Sequence, residues 1–272
     1  MLGCDKVRVN LQTSIFGRTL YCFQVIDSTN AYLLSLARDG AAEGTVVQAD
    51  FQTAGRGRKE RKWFSAPGKN LLFSILLKPE LEIDYSKKIV LAVAIILAET
   101  IKQYLNAHNI EPIDISFKWP NDLMVNGRKL SGILAESILR DKKIVAMVIG
   151  IGINLNEAQE DMDPEIRDTA TSLYQLTGQI IDREEFLTIF LRQFEKDYER
   201  FERNFYHQVV DEWKAHCEQI GKKVLISTPF GEEEGVVKDI NESGYLIYED
   251  RKGVEKALIA GEIKKGENVT DI

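Results

Sequence analysis

The chain is poor in the residues that build metal centres and disulfide frameworks. Its 272 residues include only three cysteines and three histidines. Cys4, Cys22 and Cys217 are odd in number, lie far apart and do not follow the spacing of zinc ligands. None of the histidines falls into a metal-binding or catalytic-triad pattern. The sequence therefore predicts neither a disulfide framework nor a zinc site, and it favours a reducing, cytoplasmic location.

The chain also lacks a long hydrophobic segment and an excess of positive charge. Its longest apolar run, residues 89–98, is too short to cross a bilayer. Charged residues interrupt the start of the chain, where a signal peptide would be apolar. With 35 Lys and Arg against 42 Asp and Glu, the net charge is −7, which argues against non-specific binding of nucleic acid. We expect no membrane and no specific DNA partner.

Against this acidic background, one segment is strongly basic. We call residues 52–63 the arginine loop, because apolar runs at 45–47 and 71–77 flank it and predict strands on either side. Its glycines permit close backbone approach, and arginine presents a planar fork suited to phosphate or carboxylate. Taken alone, the loop fits a phosphate site, a nucleic-acid patch or a solvated run of charge. Its cationic side chains are Arg56, Arg58, Lys59, Arg61 and Lys62.

Two further segments carry polar residues at predicted turns. Ser28, Thr29 and Asn30 follow a predicted strand and precede helical apolar spacing, which predicts a helix N-terminus. A cap needs only one or two of these side chains, so the others are free to bind a polar ligand group. In the second segment, Asn126-Gly127 predicts a tight hairpin. Three charged residues near it are either exposed ion pairs or site residues: Lys118, Asp122 and Lys129.

The remaining pattern predicts the domain organisation. Apolar spacing predicts a core helix at 87–108 and another that Asp182 caps. Short strands separated by turns from about residue 221 predict a small antiparallel barrel. We therefore predict a catalytic domain at 1–219 and a second domain at 220–272.

The polar residues exclude two common nucleotide motifs. The chain has no G-x-x-x-x-G-K-[ST] sequence, and Glu60 replaces the third glycine of a dinucleotide-binding fingerprint. Neither a cysteine nucleophile nor a Ser-His pair accompanies the polar set. Such a set suits positioning and anion stabilisation, as attack on a phosphorus centre requires.

Five motifs, in order along residues 20–266, resemble the biotin protein ligase family. They are DSTN at 27–30, the arginine loop, KWPND at 118–122, KLSGIL at 129–134 and GIGIN at 150–154. The resemblance implies an α+β fold: a mixed β-sheet flanked by helices, like class II aminoacyl-tRNA synthetases, with an SH3-like C-terminal barrel. Only about 20 residues precede the first predicted strand, too few for a helix-turn-helix. The chain thus resembles the ligase-only form, without an N-terminal DNA-binding domain.

The resemblance also implies a reaction and the residues that perform it. Such ligases use ATP and Mg²⁺ to form biotinyl-5′-AMP, and then transfer biotin to a lysine of a biotin carboxyl carrier domain. The implied biotin-binding residues are Ser28, Thr29, Asn30, Gln52, Arg56, Gly57, Arg58 and Lys129. The implied ATP and adenylate residues are Arg56, Arg58, Arg61, Trp63, Lys118, Asn121, Lys129 and Asn154. The implied catalytic residues are Lys118, Arg58 and Asp122, of which Asp122 either binds Mg²⁺ or orients the acceptor amine.

Several alternatives and one dynamic expectation stay open at this point. A lipoate or octanoate ligase shares the fold, but its arginine- and glycine-rich motif is not evident. A DNA-binding regulator and a binding-only relative of the enzyme are further alternatives, and an exposed sheet edge could form a homodimer. Repulsion among like charges predicts that the arginine loop is mobile when empty and orders over the bound adenylate.

Overall fold

A computed structural model describes residues 3–79, 81–82, 86–141, 143–202, 206–228 and 231–264. Part of one predicted turn, at 229–230, lies outside these residues. The α-helices are α1 Cys4–Asn10, α2 Thr29–Arg38, α3 Ser86–Ala107, α4 Leu173–Thr177, α5 Arg183–Glu202 and α6 Tyr206–Ala215. The strands of the main sheet are β1 Leu20–Ile26, β2 Val46–Gln52, β3 Leu71–Leu77, β4 Leu81–Glu82, β5 Ser116–Lys118, β6 Asp122–Val125, β7 Arg128–Arg140 and β8 Lys143–Ile153. The C-terminal strands are β9 Lys223–Thr228, β10 Gly231–Ile240, β11 Leu246–Asp250, β12 Glu255–Leu258 and β13 Glu262–Lys264.

The main sheet is mixed and carries helices on both faces, as predicted. Its strand order is β1-β2-β3-β8-β7-β6-β5, with β4 paired to β8. The β1–β2 pair is parallel, and the other pairs are antiparallel. All of β3 is buried, because alternate side chains of a strand point to opposite faces and both faces are covered. Phe73 and Ile75 belong to the core cluster that contains α3 and α5, whereas Leu76 packs with Leu33 of α2.

The sequence predicted no segment long enough to cross a membrane, and helix α3 shows that this prediction was wrong by length alone. By length and composition it is long and apolar enough to cross a bilayer, although the uninterrupted apolar run is shorter. However, 72% of its most apolar window is buried inside the fold. Its apolar side chains pack against the main sheet and α5. Helix α3 is therefore a core helix of this fold.

The C-terminal strands form a five-stranded antiparallel sheet, consistent with an SH3-like barrel. Its order is β12-β11-β10-β9-β13, and the short closing strand β13 was not predicted. Trp119 connects this sheet to the main sheet. Its indole Nε1 donates to the Gly244 carbonyl at 3.1 Å, and its backbone N–H donates to Gln219 Oε1 at 2.8 Å. The barrel thus packs directly beside the turn that follows Lys118.

The cysteines contradict the predicted lack of disulfides, because Cys4 and Cys22 form one. Their Cα atoms are 6.0 Å apart, a typical disulfide separation. The pairing arises from tertiary packing, which residue spacing does not reveal. Helix α1 is held on the domain by Lys6, which pairs with Asp182, and by Arg8, which donates to the Leu20 carbonyl at 2.7 Å. Cys217 is free, and burial raises the pKa of its thiol to about 11.

We expect reduction of this disulfide to lower the stability of the fold. The two cysteines are 18 residues apart, and closing a loop of that size stabilises a fold by about 3 kcal/mol. Thermal unfolding with and without a thiol reductant measures the effect. A Cys22→Ser variant should start from the lower Tm and show no response to reductant. Equal Tm values for the oxidised and reduced wild type would contradict the prediction.

Candidate functional site

A cavity of about 460 Å³ opens between the arginine loop, the N-terminus of α2 and the strands β6, β7 and β8. The structure brings every predicted site residue to its lining. These residues are Ser28, Thr29, Asn30, Gln52, Arg56, Gly57, Arg58, Arg61, Trp63, Lys118, Asn121, Asp122, Lys129 and Asn154. They come from segments 126 residues apart (28 to 154), so the fold, and not the sequence order, assembles the site.

Sequence reasoning missed one wall of the cavity, made by Glu165, Ile166, Thr169 and Ala170. This segment reaches the site because it pairs with the backbone of Lys129. The Lys129 N–H donates to the Thr169 carbonyl at 2.8 Å, and the Lys129 carbonyl accepts from the Thr171 N–H at 2.9 Å. No motif signals the contact, since it is made by backbone groups alone.

The N-terminus of α2 forms one end of the cavity, and its side chains are more committed than predicted. Ser28 Oγ caps the helix by accepting from Ala31 N–H at 3.3 Å, as predicted. Thr29 N–H and hydroxyl both donate to Gln52 Oε1, at 2.7 and 3.0 Å. The expectation of free side chains is therefore wrong for Thr29 and Asn30, which are buried and hydrogen-bonded. Their network fixes the shape of this end of the cavity before any ligand enters.

Glycines make the floor of the cavity. Gly132 and Gly152 are cross-strand partners on β7 and β8. A Cβ atom on Gly152 would lie 2.5 Å from the Trp63 ring, and one on Gly150 would overlap the Asn30 side chain. Glycine is needed here because Trp63 and Asn30 lie directly on the sheet surface. The predicted close approach thus occurs, and the approaching groups are side chains of the protein itself.

Three of the five cations of the arginine loop, Arg56, Lys59 and Arg61, are paired with carboxylates, which weakens the repulsion that predicted a mobile empty loop. Arg56 Nη1 and Nη2 lie 3.8 Å from Glu60 and 3.7 Å from Glu136. On the barrel, Glu262 pairs with both Arg61 and Lys59. The like charges are therefore held apart by carboxylates from three different places in the chain.

Arg58 joins the cavity to the barrel. Its Nη2 donates to the Gly261 carbonyl at 3.0 Å, whereas its Nη1 is buried without a hydrogen-bond partner. Desolvation by burial lowers the pKa of Arg58, but a guanidinium remains charged at neutral pH. A buried charged donor without a protein partner is costly, so this group favours the binding of an anion. Because Arg58 lines the cavity, an anion there would satisfy it.

The second cationic group of the cavity centres on Lys118. This lysine lines the cavity, and its ammonium has no ion-pair or hydrogen-bond partner within the described ranges. Lys129, in contrast, is engaged: its Nζ lies 2.7 Å from Asp122 Oδ1 and 5.3 Å from the centroid of the Trp63 ring. The ammonium of Lys118 is therefore available to a second anion.

Two predicted amide side chains stabilise the cavity walls. Asn154 Oδ1 accepts from Asn70 Nδ2 at 3.2 Å, and Asn154 Nδ2 donates to the Thr171 carbonyl at 3.0 Å. Asn121 Nδ2 donates to the Ile133 carbonyl at 2.6 Å. These bonds tie the missed wall to β8 and the Lys118 turn to β7. Both residues line the cavity while their amide groups serve its framework.

The side chains that line the cavity do not include a cluster of metal ligands. No group of three or more His, Cys, Asp or Glu side chains that could hold a metal occurs in the part of the chain that the structure describes. Asp122 is a single carboxylate, and it is already paired with Lys129. Mg²⁺ commonly keeps several waters and binds substrate phosphates. These residues therefore fit a Mg²⁺ ion that arrives on a nucleotide, rather than one caged by protein.

Replacing Glu262 by glutamine is expected to loosen the arginine loop. The variant loses two charge pairs to the loop, and exposed or half-exposed pairs contribute up to about 1 kcal/mol each. Amide hydrogen exchange of residues 57–62 should accelerate about fivefold, an estimate from that magnitude. Glu232→Gln, which removes a barrel carboxylate that pairs with Lys264, is the matched control. Unchanged exchange in Glu262→Gln would show that the Glu262 ion pairs do not restrain the loop.

Comparisons with known proteins identify the family of the chain and its structural relatives. Residues 22–154 match the model of the Biotin/lipoate A/B protein ligase family. The Bifunctional ligase/repressor BirA of Bacillus subtilis is 33% identical over 259 residues, which span 95% of this chain and 78% of that protein. The Biotin–[acetyl-CoA-carboxylase] ligase of Mycobacterium tuberculosis is 31% identical over 242 residues, 87% of this chain and 85% of the relative. The structure of biotin protein ligase from Aquifex aeolicus in complex with biotin and ATP is also similar, with 30% sequence identity and a TM-score of 0.76. The match covers 91% of this chain and 98% of the Aquifex aeolicus chain.

Proposed function

This chain belongs to the biotin protein ligase family, and on that premise we propose how its cavity performs the reaction. The protein is a ligase that uses ATP to attach biotin to a lysine of a biotin-dependent carboxylase through biotinyl-5′-AMP. The observation that carries the residue assignment is the cavity itself. It combines the buried, unpartnered Nη1 of half-buried Arg58 with the unpaired ammonium of Lys118, above a glycine floor.

The first step joins two anions, and the cations of the cavity make this possible. A biotin carboxylate oxygen attacks the α-phosphorus of ATP, and the bond to diphosphate breaks as diphosphate leaves. Like charges repel strongly in a site from which water is excluded, so the approach requires positive charge. We assign Arg56 and Arg58 to the carboxylate and phosphate oxygens, and Lys118 to the α-phosphate. Mg²⁺ would arrive on the nucleotide and neutralise part of its charge.

The opposite end of the cavity suits the polar ring of biotin. The Ser28 hydroxyl lies at the N-terminus of α2, and Thr29 and Gln52, which are hydrogen-bonded to each other, line the cavity beside it. We assign this end to the ring, and the Trp63 face and the glycine floor to its hydrocarbon portion. Lys129 and Asn121 lie nearer the Asp122 turn, where we place the junction with the adenylate. At the nucleotide end, Asn154 holds the cavity wall in place and Arg61 holds the arginine loop.

The second step transfers the biotinyl group to the acceptor lysine. The amine attacks the carbonyl carbon of the mixed anhydride, the bond to the phosphate oxygen breaks, and AMP leaves. We assign Asp122 to orienting the incoming amine, because its carboxylate lies at the cavity and is held in place by Lys129. That pairing favours a positioning role over metal binding.

One open sheet edge offers a docking place for a protein partner. The half of β7 at 136–140 pairs with β8 on one side, whereas β6 covers only the first half of β7. An unpaired strand edge recruits another strand. We propose that the carboxylase carrier domain approaches along this edge, next to the cavity. A second copy of the chain forming a homodimer there is the competing occupant.

Two narrower statements remain proposals. The net charge of −7 favours an enzyme without specific DNA binding. We also propose a cytoplasmic location.

Exchange of radiolabelled diphosphate into ATP tests the adenylation step and its substrate. We expect exchange that depends on biotin and is not supported by lipoate or octanoate. The names of the relatives favour biotin, since they include biotin–[acetyl-CoA-carboxylase] ligases. Exchange driven by lipoate and not by biotin would instead assign the chain to the lipoate branch of the family.

A further inference from the structure

Glu136 is a carboxylate beside a cavity that otherwise collects positive charge. Its Oε2 accepts a hydrogen bond from Asn30 Nδ2 at 2.8 Å, and its Oε1 lies 3.7 Å from Arg56 Nη2. Its side chain is 29% exposed, so part of its charge is shielded from water. A carboxylate in this position opposes the binding of anions. Its presence therefore points to a role other than contact with an anionic substrate.

The bond to Asn30 fixes the orientation of that amide. Asn30 is 5% exposed, and its Oδ1 accepts from the hydroxyl of the fully buried Ser74 at 2.6 Å. Its Nδ2 donates to Glu136 and, at 3.3 Å, to the Leu134 carbonyl. A flipped amide would point its oxygen at a carboxylate and leave buried groups unpaired. Ser74 Oγ also lies 2.7 Å from Thr29 Oγ1, so the same hydrogen-bond network includes the first residue of α2.

The contact with Arg56 ties the arginine loop to the sheet. Arg56 has two carboxylate neighbours at nearly equal distance, Glu60 at 3.8 Å and Glu136 at 3.7 Å. Glu60 belongs to the same loop and is 85% exposed, so it cannot anchor the loop to another element. Glu136 lies on β7, which is paired with β8 along its length. Of these two carboxylates, only Glu136 links Arg56 to the rigid part of the fold.

We propose that Glu136 is a positioning residue with two separable tasks. Its hydrogen-bond acceptor sets the Asn30 amide at the ring end of the cavity, and its charge retains Arg56 at the anion end. This inference rests on the proposed function, since it assumes that the two ends hold the ring and the activated carboxylate of one ligand. A side chain that contacts neither substrate thus joins the two ends of the site.

Glutamine and alanine variants separate the two tasks. Glu136→Gln keeps a carbonyl oxygen for Asn30 but removes the charge. Biotin Kd should stay within about twofold of wild type, while biotinyl-AMP escapes about three- to fivefold faster, as expected for a partly exposed ion pair. Glu136→Ala also leaves the Asn30 amide without its acceptor, which should weaken biotin binding about tenfold in addition. Glu60→Gln removes the other neighbour of Arg56 and should leave both quantities unchanged.

Biotin binding is measured by calorimetry, and escape by release of preformed biotinyl-AMP from the enzyme. Wild-type protein that forms no biotinyl-AMP would contradict the proposed function itself, whereas the inference about Glu136 is judged only against an active wild type. Equal biotin Kd values for the glutamine and alanine variants, or escape rates that match wild type in both, would overturn the inference. If the alanine variant does not fold, the escape rate of Glu136→Gln against Glu60→Gln still decides it.

Discussion

Replacing Lys118 by alanine is expected to slow formation of biotinyl-AMP by about 10²–10³-fold, the usual cost of losing one group that stabilises developing charge. Lys118 lines the cavity, and its ammonium has no partner within the described residues. Its ammonium is therefore available to the α-phosphate when the two anions meet. Single-turnover formation of biotinyl-AMP, measured at saturating biotin and ATP, reports the chemical step without the effect of weaker binding.

The conservative variant and a surface lysine sharpen this test. Lys118→Arg keeps a positive charge and should recover part of the lost rate. Lys102→Ala removes a lysine that pairs with Glu99 on the surface of α3, and it should behave as wild type. The account of Lys118 would be wrong if Lys118→Ala formed the adenylate at the wild-type rate with substrates saturating.

Replacing Arg58 by alanine is expected to accelerate the escape of biotinyl-AMP by about 10–100-fold, which corresponds to the loss of hydrogen bonds to a charged group. Two observations support this large effect. Arg58 has a buried N–H group with no protein partner, which an adenylate phosphate would satisfy. It also holds the arginine loop against the barrel through the Gly261 carbonyl. Release from preloaded enzyme gives the rate, and calorimetry gives the accompanying loss of biotin affinity.

Arg38→Ala is the control for Arg58, since it removes a cation from the far end of α2. It should alter neither release nor affinity. If Arg58→Ala held its adenylate as long as wild type and bound biotin equally well, Arg58 would be a structural link between loop and barrel only. The orphaned donor would then need another explanation, such as an ordered water.

Features that depend on neighbouring residues were predictable from the sequence. Ser28 caps α2, and Asp182 caps α5 by accepting from the N–H groups of Glu184 and Glu185. Asn126 and Gly127 have φ values of 50° and 71°, as the predicted hairpin requires. Each of these signals is local, because the residue type and its immediate backbone decide the geometry. The site residues could be named for a different reason, the family motifs that contain them.

Contacts between distant parts of the chain were not predictable. Arg58 meets a carbonyl 203 residues away, and Glu136 meets a helix residue 106 positions earlier. Neither contact has a characteristic spacing, since the sheet order and the docked barrel create both. The Cys4–Cys22 disulfide has the same origin. The expectation of a repelling loop likewise counted local charges without the distant partners Glu136 and Glu262.

The central claim is that this cavity activates biotin and hands it to one lysine of a carboxylase. The most direct test incubates the protein with biotin, ATP, Mg²⁺ and an isolated biotin carboxyl carrier domain, followed by intact-mass and peptide mass spectrometry of that domain. We predict the addition of one biotinyl group at a single lysine, dependent on both biotin and ATP and greatly slowed in Lys118→Ala. A carrier domain that stays unmodified while the wild-type protein binds biotin and ATP would contradict the account.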